Sequence, residues 1–182
     1  SNGSGAPGGR ISRRQFVVAS GAAGGLALGF DFPGGLPAVA QKAAMPGTEV
    51  NAWVVVKPDD TCVIRIVRSE MGQGTITGLA QLAAEELECD WKKVRYEYPT
   101  PGQSHARKRI WGEMSTGGSR GIRMSHDIVR RGGAAARTML LEAAAQEWKV
   151  PASELTVADG VITHAASKRK TTYGKVAAAA AK

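Results

Sequence analysis

The sequence is poor in the residues from which a self-contained reactive centre is usually built. Among its 182 residues are two cysteines, Cys62 and Cys89, and three histidines, His105, His126 and His164. They stand singly, without the short spacings that hold zinc or an iron–sulfur cluster, so a protein-ligated metal of that kind is not expected. Spacing leaves open whether the two thiols stay separate as buried or half-buried side chains or meet in a disulfide. Aromatic residues make up 5%, and no stacking or groove-reading pattern accompanies the basic ones, which argues against nucleic-acid recognition. Neither standard nucleotide loop is present: the turn at Gly72-Gln73-Gly74 lacks the lysine of a Walker loop and the third glycine of the dinucleotide fingerprint. No internal repeat suggests a solenoid.

What is present fits one compact domain with a tail. Hydrophobic residues make up 43% and charged ones 22%, ordinary for a globular chain. The formal charge of +8 implies attraction to something anionic, whether nucleic acid, a membrane surface, an acidic partner or a phosphate-bearing cofactor; charge alone does not choose.

Residues 1–9 have nothing to bury. Arg10-Ile11-Ser12-Arg13-Arg14-Gln15-Phe16-Val17 and the soft apolar run to Phe30 resemble a twin-arginine export signal, with Ala38-Val39-Ala40 as a small-residue cleavage site. The run is short and glycine-rich for a membrane span, which wants about 20 apolar residues. An uncleaved anchor or an amphipathic or buried N-terminal helix are the alternatives. Residues 1–40 are thus read as a leader, 41–50 as a linker and 51–182 as the folded domain. Twin-arginine transport carries proteins already folded around cofactors, so the leader predicts a cofactor enzyme in the periplasm or on its membrane face. The lack of an initiating Met and the uncapped final helix suggest a piece of a longer product.

Within the domain, Ala52 to Val56 and Thr61 to Val67 predict an antiparallel hairpin turning at Lys57-Pro58-Asp59-Asp60. Its second arm leads into Ser69 to Leu87, the central stretch. After Gly74, Ile76, Leu79, Ala80, Ala83 and Leu87 recur at helical spacing, so strand, glycine turn and helix follow one another. Gly72 and Gly74 permit unusual dihedrals, and the first N–H groups of the helix would face the same space, where a phosphate or another acceptor-rich group fits. A turn serving only chain reversal is the bland alternative. Val94 to Tyr98 reads as a strand broken by Pro99-Thr100-Pro101-Gly102, and Gln103 to Arg109 as a solvated basic loop or a docking edge.

Ser115-Thr116-Gly117-Gly118-Ser119-Arg120-Gly121 is a second glycine turn opening a helix. Ile122, Val129, Ala136, Met139, Leu140, Ala143 and Trp148 share one side of it. Gly132-Gly133 costs helix propensity, about 1 kcal/mol each, and predicts close approach of another backbone. Thr116 or Ser119 is the expected N-cap, with Arg120 and Arg123 beside a second anion site; an ordinary capped core helix is the other reading. Leu155 to Val157 and Val161 to His164 flank Ala158-Asp159-Gly160 as a hairpin. A basic loop, Ser167 to Lys170, then precedes a last helix, Tyr173 to Ala181. This order predicts an α+β fold, with helices packed on a mainly antiparallel or mixed sheet.

The string Glu70-Met71-Gly72-Gln73-Gly74, followed by Thr75 and an Ala-Gln-Leu helix, resembles the molybdopterin-binding loop of the large subunits of the xanthine dehydrogenase and aldehyde oxidase family, most of all the isoquinoline 1-oxidoreductase beta-subunit type. The likeness extends to the Trp53 to Val67 hairpin, Thr100-Pro101-Gly102, Thr116-Gly117-Gly118-Ser119 with its Ala-rich helix, and the Asp159-Gly160 hairpin. It implies that Gly72, Gln73 and Gly74 contact the pyranopterin, and that Thr116, Gly117, Gly118 and Ser119 help hold the pterin or its dinucleotide phosphate, usually in the cytosine dinucleotide form. The reaction it implies is molybdenum-dependent hydroxylation of aldehydes or N-heteroaromatic compounds with oxygen from water. Electrons would leave through a separate 2Fe-2S subunit and, in membrane-associated members, pass on to cytochrome c.

Family large subunits are several times longer, and their later Gly-rich loop near the metal and their C-terminal Gly-Glu catalytic segment have no counterpart here. No catalytic residue is therefore assigned in this chain; Glu70 is read as a brace for its loop, and neither it nor Glu113 as a base. The chain is expected to be the N-terminal part of a molybdenum hydroxylase, completed by the remainder of the large subunit or by another chain, and inactive alone. The alternative is a non-catalytic assembly or interaction module that keeps the fold without cofactor. Charge-driven nucleic-acid binding has least support, since several basic residues lie in the leader and in scattered loops.

Overall fold

A computed structural model describes residues 46–182. The leader and cleavage site expected over 1–40, and the start of the expected linker, lie outside the described residues. Val54–Val56 (β2) and Cys62–Arg65 (β3) form the expected hairpin, with Val55 opposite Val63. Their β-branched side chains are mostly buried, as suits a strand packed beneath helices. Thr48–Glu49 (β1) pairs antiparallel with β2, and Val50 is buried. The segment read as a linker, 41–50, thus ends in a strand.

From β3 the chain passes through buried Ile66, Val67 and Arg68 into the first glycine turn. It then forms the helix Thr75–Leu87 (α1) and returns as Val94–Glu97 (β4), parallel to β3. The first sheet is therefore mixed, in the order β1-β2-β3-β4, in keeping with the α+β expectation. Pro101–Ala106 (α2) is a short helix where a basic loop was expected. Thr100 caps it, Pro101 occupies the first turn, and the Gln103 side chain closes a capping box. The basic side chains of the segment, His105, Arg107, Lys108 and Arg109, are exposed, while beyond them Trp111 is buried and donates its indole N–H to the Ala52 carbonyl at 2.8 Å. The Arg65 and Arg107 guanidinium groups lie 5.9 and 5.4 Å from its ring centroid.

Arg120–Trp148 (α3) is the long helix. Val129, Ala136, Leu140, Ala143 and Ala144 are buried as its apolar spacing requires. Ile122 departs from that expectation and is 38% exposed, while Met139 and Trp148 are only partly buried. The glycine pair explains how α3 meets its neighbours. A Cβ on Gly132 would lie 2.6 Å from the Trp53 ring, and one on Gly133 would fall on the Ala83 carbonyl oxygen. The close approach offsets the helix-propensity cost. Further up, a Cβ on Gly121 would sit 2.9 Å from the Thr75 hydroxyl, and one on Gly78 would sit 2.8 Å from the tip of Ile122. The contacts 75 with 121, 78 with 122 and 83 with 133 climb both helices together, so α1 and α3 run parallel.

Leu155–Ala158 (β5), Val161–His164 (β6) and Arg169–Thr172 (β7) form a second, antiparallel sheet. The β5–β6 turn at Asp159-Gly160 is as expected, both residues having positive φ; β7 replaces much of the expected basic loop. Tyr173–Ala180 (α4) closes the domain. Tyr173 is buried and donates its hydroxyl to the Leu87 carbonyl at 2.6 Å. The Asp60 carboxylate accepts the Gly174 N–H at 2.9 Å, capping α4 from the first hairpin. Cys62 and Cys89 are free thiols, the first buried and the second partly so. The Cys62 thiol donates to the Asp60 carbonyl at 3.7 Å; the neighbouring Cys89 thiol, then burial, holds Cys62 above its usual range, and Cys62 in turn lowers that of Cys89. No described helix is long and apolar enough to cross a membrane.

Candidate functional site

The first turn is organised by one carboxylate. Gly72 and Gly74 have φ of 93° and 77°, values that side chains disfavour and glycine does not. This fold-back lets Glu70 Oε1 accept the N–H of Gly72 at 2.7 Å and of Gly74 at 2.9 Å, while Oε2 accepts that of Ile76 at 3.0 Å. The bonds from Ile76 and then Gly74 hold the Glu70 carboxyl below the usual glutamate range. Of the donors at the start of α1, Glu70 thus takes up the N–H of Ile76 and that of the N-cap residue Gly74. These N–H groups are the target of the bracing role expected of Glu70. Gln73, which is exposed, bonds within its own loop, donating to the Ser69 carbonyl at 2.9 Å and to the Thr75 hydroxyl at 2.8 Å.

The second turn is built differently. Gly117, Gly118 and Ser119 all have positive φ, at 146°, 56° and 57°, so the chain enters α3 through a sharply reversed backbone. Ser119 occupies the N-cap position, but no side chain caps α3 and no acidic residue lies in its first turn. Thr116, the other expected cap, instead accepts the Ser69 N–H at 2.8 Å and ties the two turns together. Arg120 donates from Nε to the Gly117 carbonyl at 3.1 Å and from Nη1 to Glu113 at 3.2 Å. The Ser115 hydroxyl and then the Arg120 charge keep the Glu113 carboxyl below its usual range. Behind both turns lies Arg68, which sequence reasoning passed over. It is buried, with Nε donating to the Ser125 hydroxyl at 3.0 Å and Nη1 to the Ser115 carbonyl.

Parallel packing of α1 and α3 brings the positive ends of two helix dipoles side by side, which is unfavourable unless negative charge joins them. At α1 that charge is Glu70. Next to it opens a cleft of about 600 Å³, lined by Met71, Gln73 and Thr75 from the first turn and by residues 116–123 from the second. Of the sequence-predicted residues, Gln73, Thr116, Gly117, Gly118 and Ser119 meet there. Gly72 and Gly74 shape the loop without lining the cleft. No Asp, Glu, His, Cys or Lys is among the lining residues, so the cleft can bind an acceptor-rich anion but offers no general base. Among the described residues no group of three or more His, Cys, Asp or Glu side chains could hold a metal ion.

Comparisons with known proteins bear on this geometry. Residues 23–182 match the family described as "Molybdopterin cofactor-binding domain". The chain is 35% identical over 175 residues to the isoquinoline 1-oxidoreductase subunit beta of Brevundimonas diminuta, covering 93% of this chain and 22% of that protein. It is 34% identical over 172 residues to the membrane-bound aldehyde dehydrogenase [pyrroloquinoline-quinone] of Gluconacetobacter polyoxogenes, covering 92% and 21%. The chain thus spans about a fifth of the length of these relatives. Among solved structures, quinoline 2-oxidoreductase from Pseudomonas putida 86 shares the fold at a TM-score of 0.52 and 19% identity, over 69% of this chain and 15% of that one. CO dehydrogenase from Oligotropha carboxidovorans does so at 0.50 and 20%, over 68% and 15%.

Proposed function

From the fact that the chain belongs to the molybdopterin cofactor-binding domain family, we propose that its two glycine turns hold the pterin cofactor of a molybdenum hydroxylase acting on aldehydes or N-heteroaromatic compounds. The observation that carries this reading is the convergence of two helix N-termini on a cleft without a lining carboxylate. The residues present fit such a group. Gly117, Gly118 and Ser119 leave the first turn of α3 without a side-chain cap, so its N–H groups and the Arg120 and Arg123 side chains would take the phosphates. Gln73 and the exposed backbone around Gly72 and Gly74 would face the pterin. The dinucleotide form, with cytosine as its base, belongs to the same proposal.

When bound, the molybdenum–pterin group would supply the redox centre for hydroxylation with oxygen from water. The part of this chain is to bind, orient and neutralise that group. Glu70 keeps the first turn rigid by holding the N–H groups of Gly72, Gly74 and Ile76. Thr116 and Ser69 fix the distance between the turns. Substrate binding and proton removal would fall to the remainder of the larger subunit, a 2Fe-2S subunit would accept the electrons, and a cytochrome c subunit could follow it. Alone, the chain would be inactive. The resemblance of residues 10–30 to a twin-arginine signal extends the proposal to export into the periplasm, with membrane association there.

The test is chemical analysis of the assembled protein purified from its host. We expect about one molybdenum and one cytosine nucleotide per subunit, with the fluorescence of an oxidised pterin after denaturation. Because one relative is named for pyrroloquinoline quinone, that quinone is assayed in the same extract. Quinone without pterin, or neither, would overturn the proposal, and the latter would favour a non-catalytic assembly module.

A further inference from the structure

We propose that Arg68 is a positioning residue for the bound cofactor: it locks the second glycine turn onto the end of β3 and supplies a fixed, dry positive charge behind it. The inference rests on the cofactor-binding reading above.

Arg68 is 3% exposed. Removing a guanidinium from water costs on the order of several kcal/mol unless an anion compensates it. Among the described residues no ion pair joins Arg68 to a carboxylate. Its hydrogen bonds go to neutral oxygens: Nε to the Ser125 hydroxyl at 3.0 Å, and Nη1 to the Ser115 carbonyl. Glu113, whose carboxylate senses this charge, is itself exposed and bonded to Ser115 and Arg120 instead. A buried cation without a carboxylate partner calls for negative charge from elsewhere, and the adjoining cleft is where the proposed phosphates would lie.

The placement of its two bonds shows what the fork accomplishes. Ser115 opens the second glycine turn and Ser125 follows it, in the second helical turn of α3. Arg68 therefore grips both ends of the segment that holds the positive-φ residues Gly117, Gly118 and Ser119. The next residue adds a third tie, from the Ser69 N–H to Thr116 at 2.8 Å. A lysine would keep the charge but could not span the two acceptors, because the planar fork with separate Nε and Nη donors is peculiar to arginine.

The test compares Arg68→Met, Arg68→Lys and Ser125→Ala in the assembled protein. Three quantities are read: molybdenum and pterin per subunit, amide hydrogen exchange over 116–121, and the global unfolding midpoint. We expect Arg68→Met to unfold cooperatively yet retain at least tenfold less cofactor, with faster exchange confined to 116–121. Arg68→Lys should recover part of the retention without restoring protection of the turn. Ser125→Ala, which leaves the charge and removes one tie, should fold normally and show faster exchange with a smaller loss of cofactor. Cofactor retention and turn protection equal to wild type in Arg68→Met would overturn the proposal. So would cofactor loss that tracks global unfolding in Arg68→Met while Ser125→Ala remains unchanged. A wild-type protein without pterin would sink the cofactor reading itself and Arg68 with it, an outcome separable from the others because it precedes any substitution.

Discussion

Glu70 shows how one side chain decides what a loop can bind. Its carboxylate holds three backbone N–H groups, those of Gly72, Gly74 and Ile76, and those bonds favour the charged form. A carboxyl whose value is lowered in the folded state stabilises that state fully above its unfolded value, near 4.5, and loses the contribution as pH falls through the lowered one. Glu70→Gln should therefore melt below wild type at pH 7, with the gap closing as the solution is acidified below pH 4.5. Thermal melts of both proteins across that range check this; a constant gap would mean that charge plays no part. The glycines at 72 and 74 and the bracing role of Glu70 were legible in the sequence, since the residue types announce a turn. The bonds of Gln73 to Ser69 and Thr75 and the burial of Arg68 were not. An arginine at the end of a β-branched run reads as a solvated cap until the neighbours that cover it are known.

At the scale of elements, the site depends on how closely two helices approach. Gly133 lies against the Ala83 carbonyl and Gly121 against the Thr75 hydroxyl, so α1 and α3 pack backbone to backbone and their N-termini stay level. Gly133→Ala would gain about 1 kcal/mol of helix propensity but force the backbones apart, at a cost of about 1–3 kcal/mol. We expect a net loss of stability, read as a lower urea midpoint with an unchanged slope; an unchanged or raised midpoint would show that the helices can give way. The glycine pair announced this contact in advance, although not its partner. Besides β1, which lies in the segment read as a linker, two elements escaped the sequence reading for different reasons. In α2 the signal was present as Thr100, Pro101 and Gln103, but Pro-Gly reads first as a break. In β7 the segment Arg169-Lys170-Thr171-Thr172 has no apolar alternation, and it becomes a strand because its backbone pairs with β6.

At the scale of the whole molecule, the chain covers about a fifth of its relatives' length. The proposed export belongs to this scale, because it concerns the protein as delivered. Residues 1–45 fused to a folded reporter should carry it to the periplasm, and Arg13→Lys with Arg14→Lys in the fusion should abolish that; transport unaffected by the pair would refute a twin-arginine signal. The sequence by itself determined the local grammar: the hairpins, the two glycine turns, each opening a helix, and the motif strings that resemble a molybdopterin-binding loop. These are legible because turn chemistry and apolar period act over a few residues. Only the tertiary structure decided that α1 and α3 lie parallel, that Glu70 closes one helix end while the other lacks a carboxylate, and that Arg68 is buried between the turns. Those facts depend on contacts between residues some fifty positions apart, such as Thr75 with Gly121 and Arg68 with Ser125, and local propensity carries no record of which distant surface a face will meet.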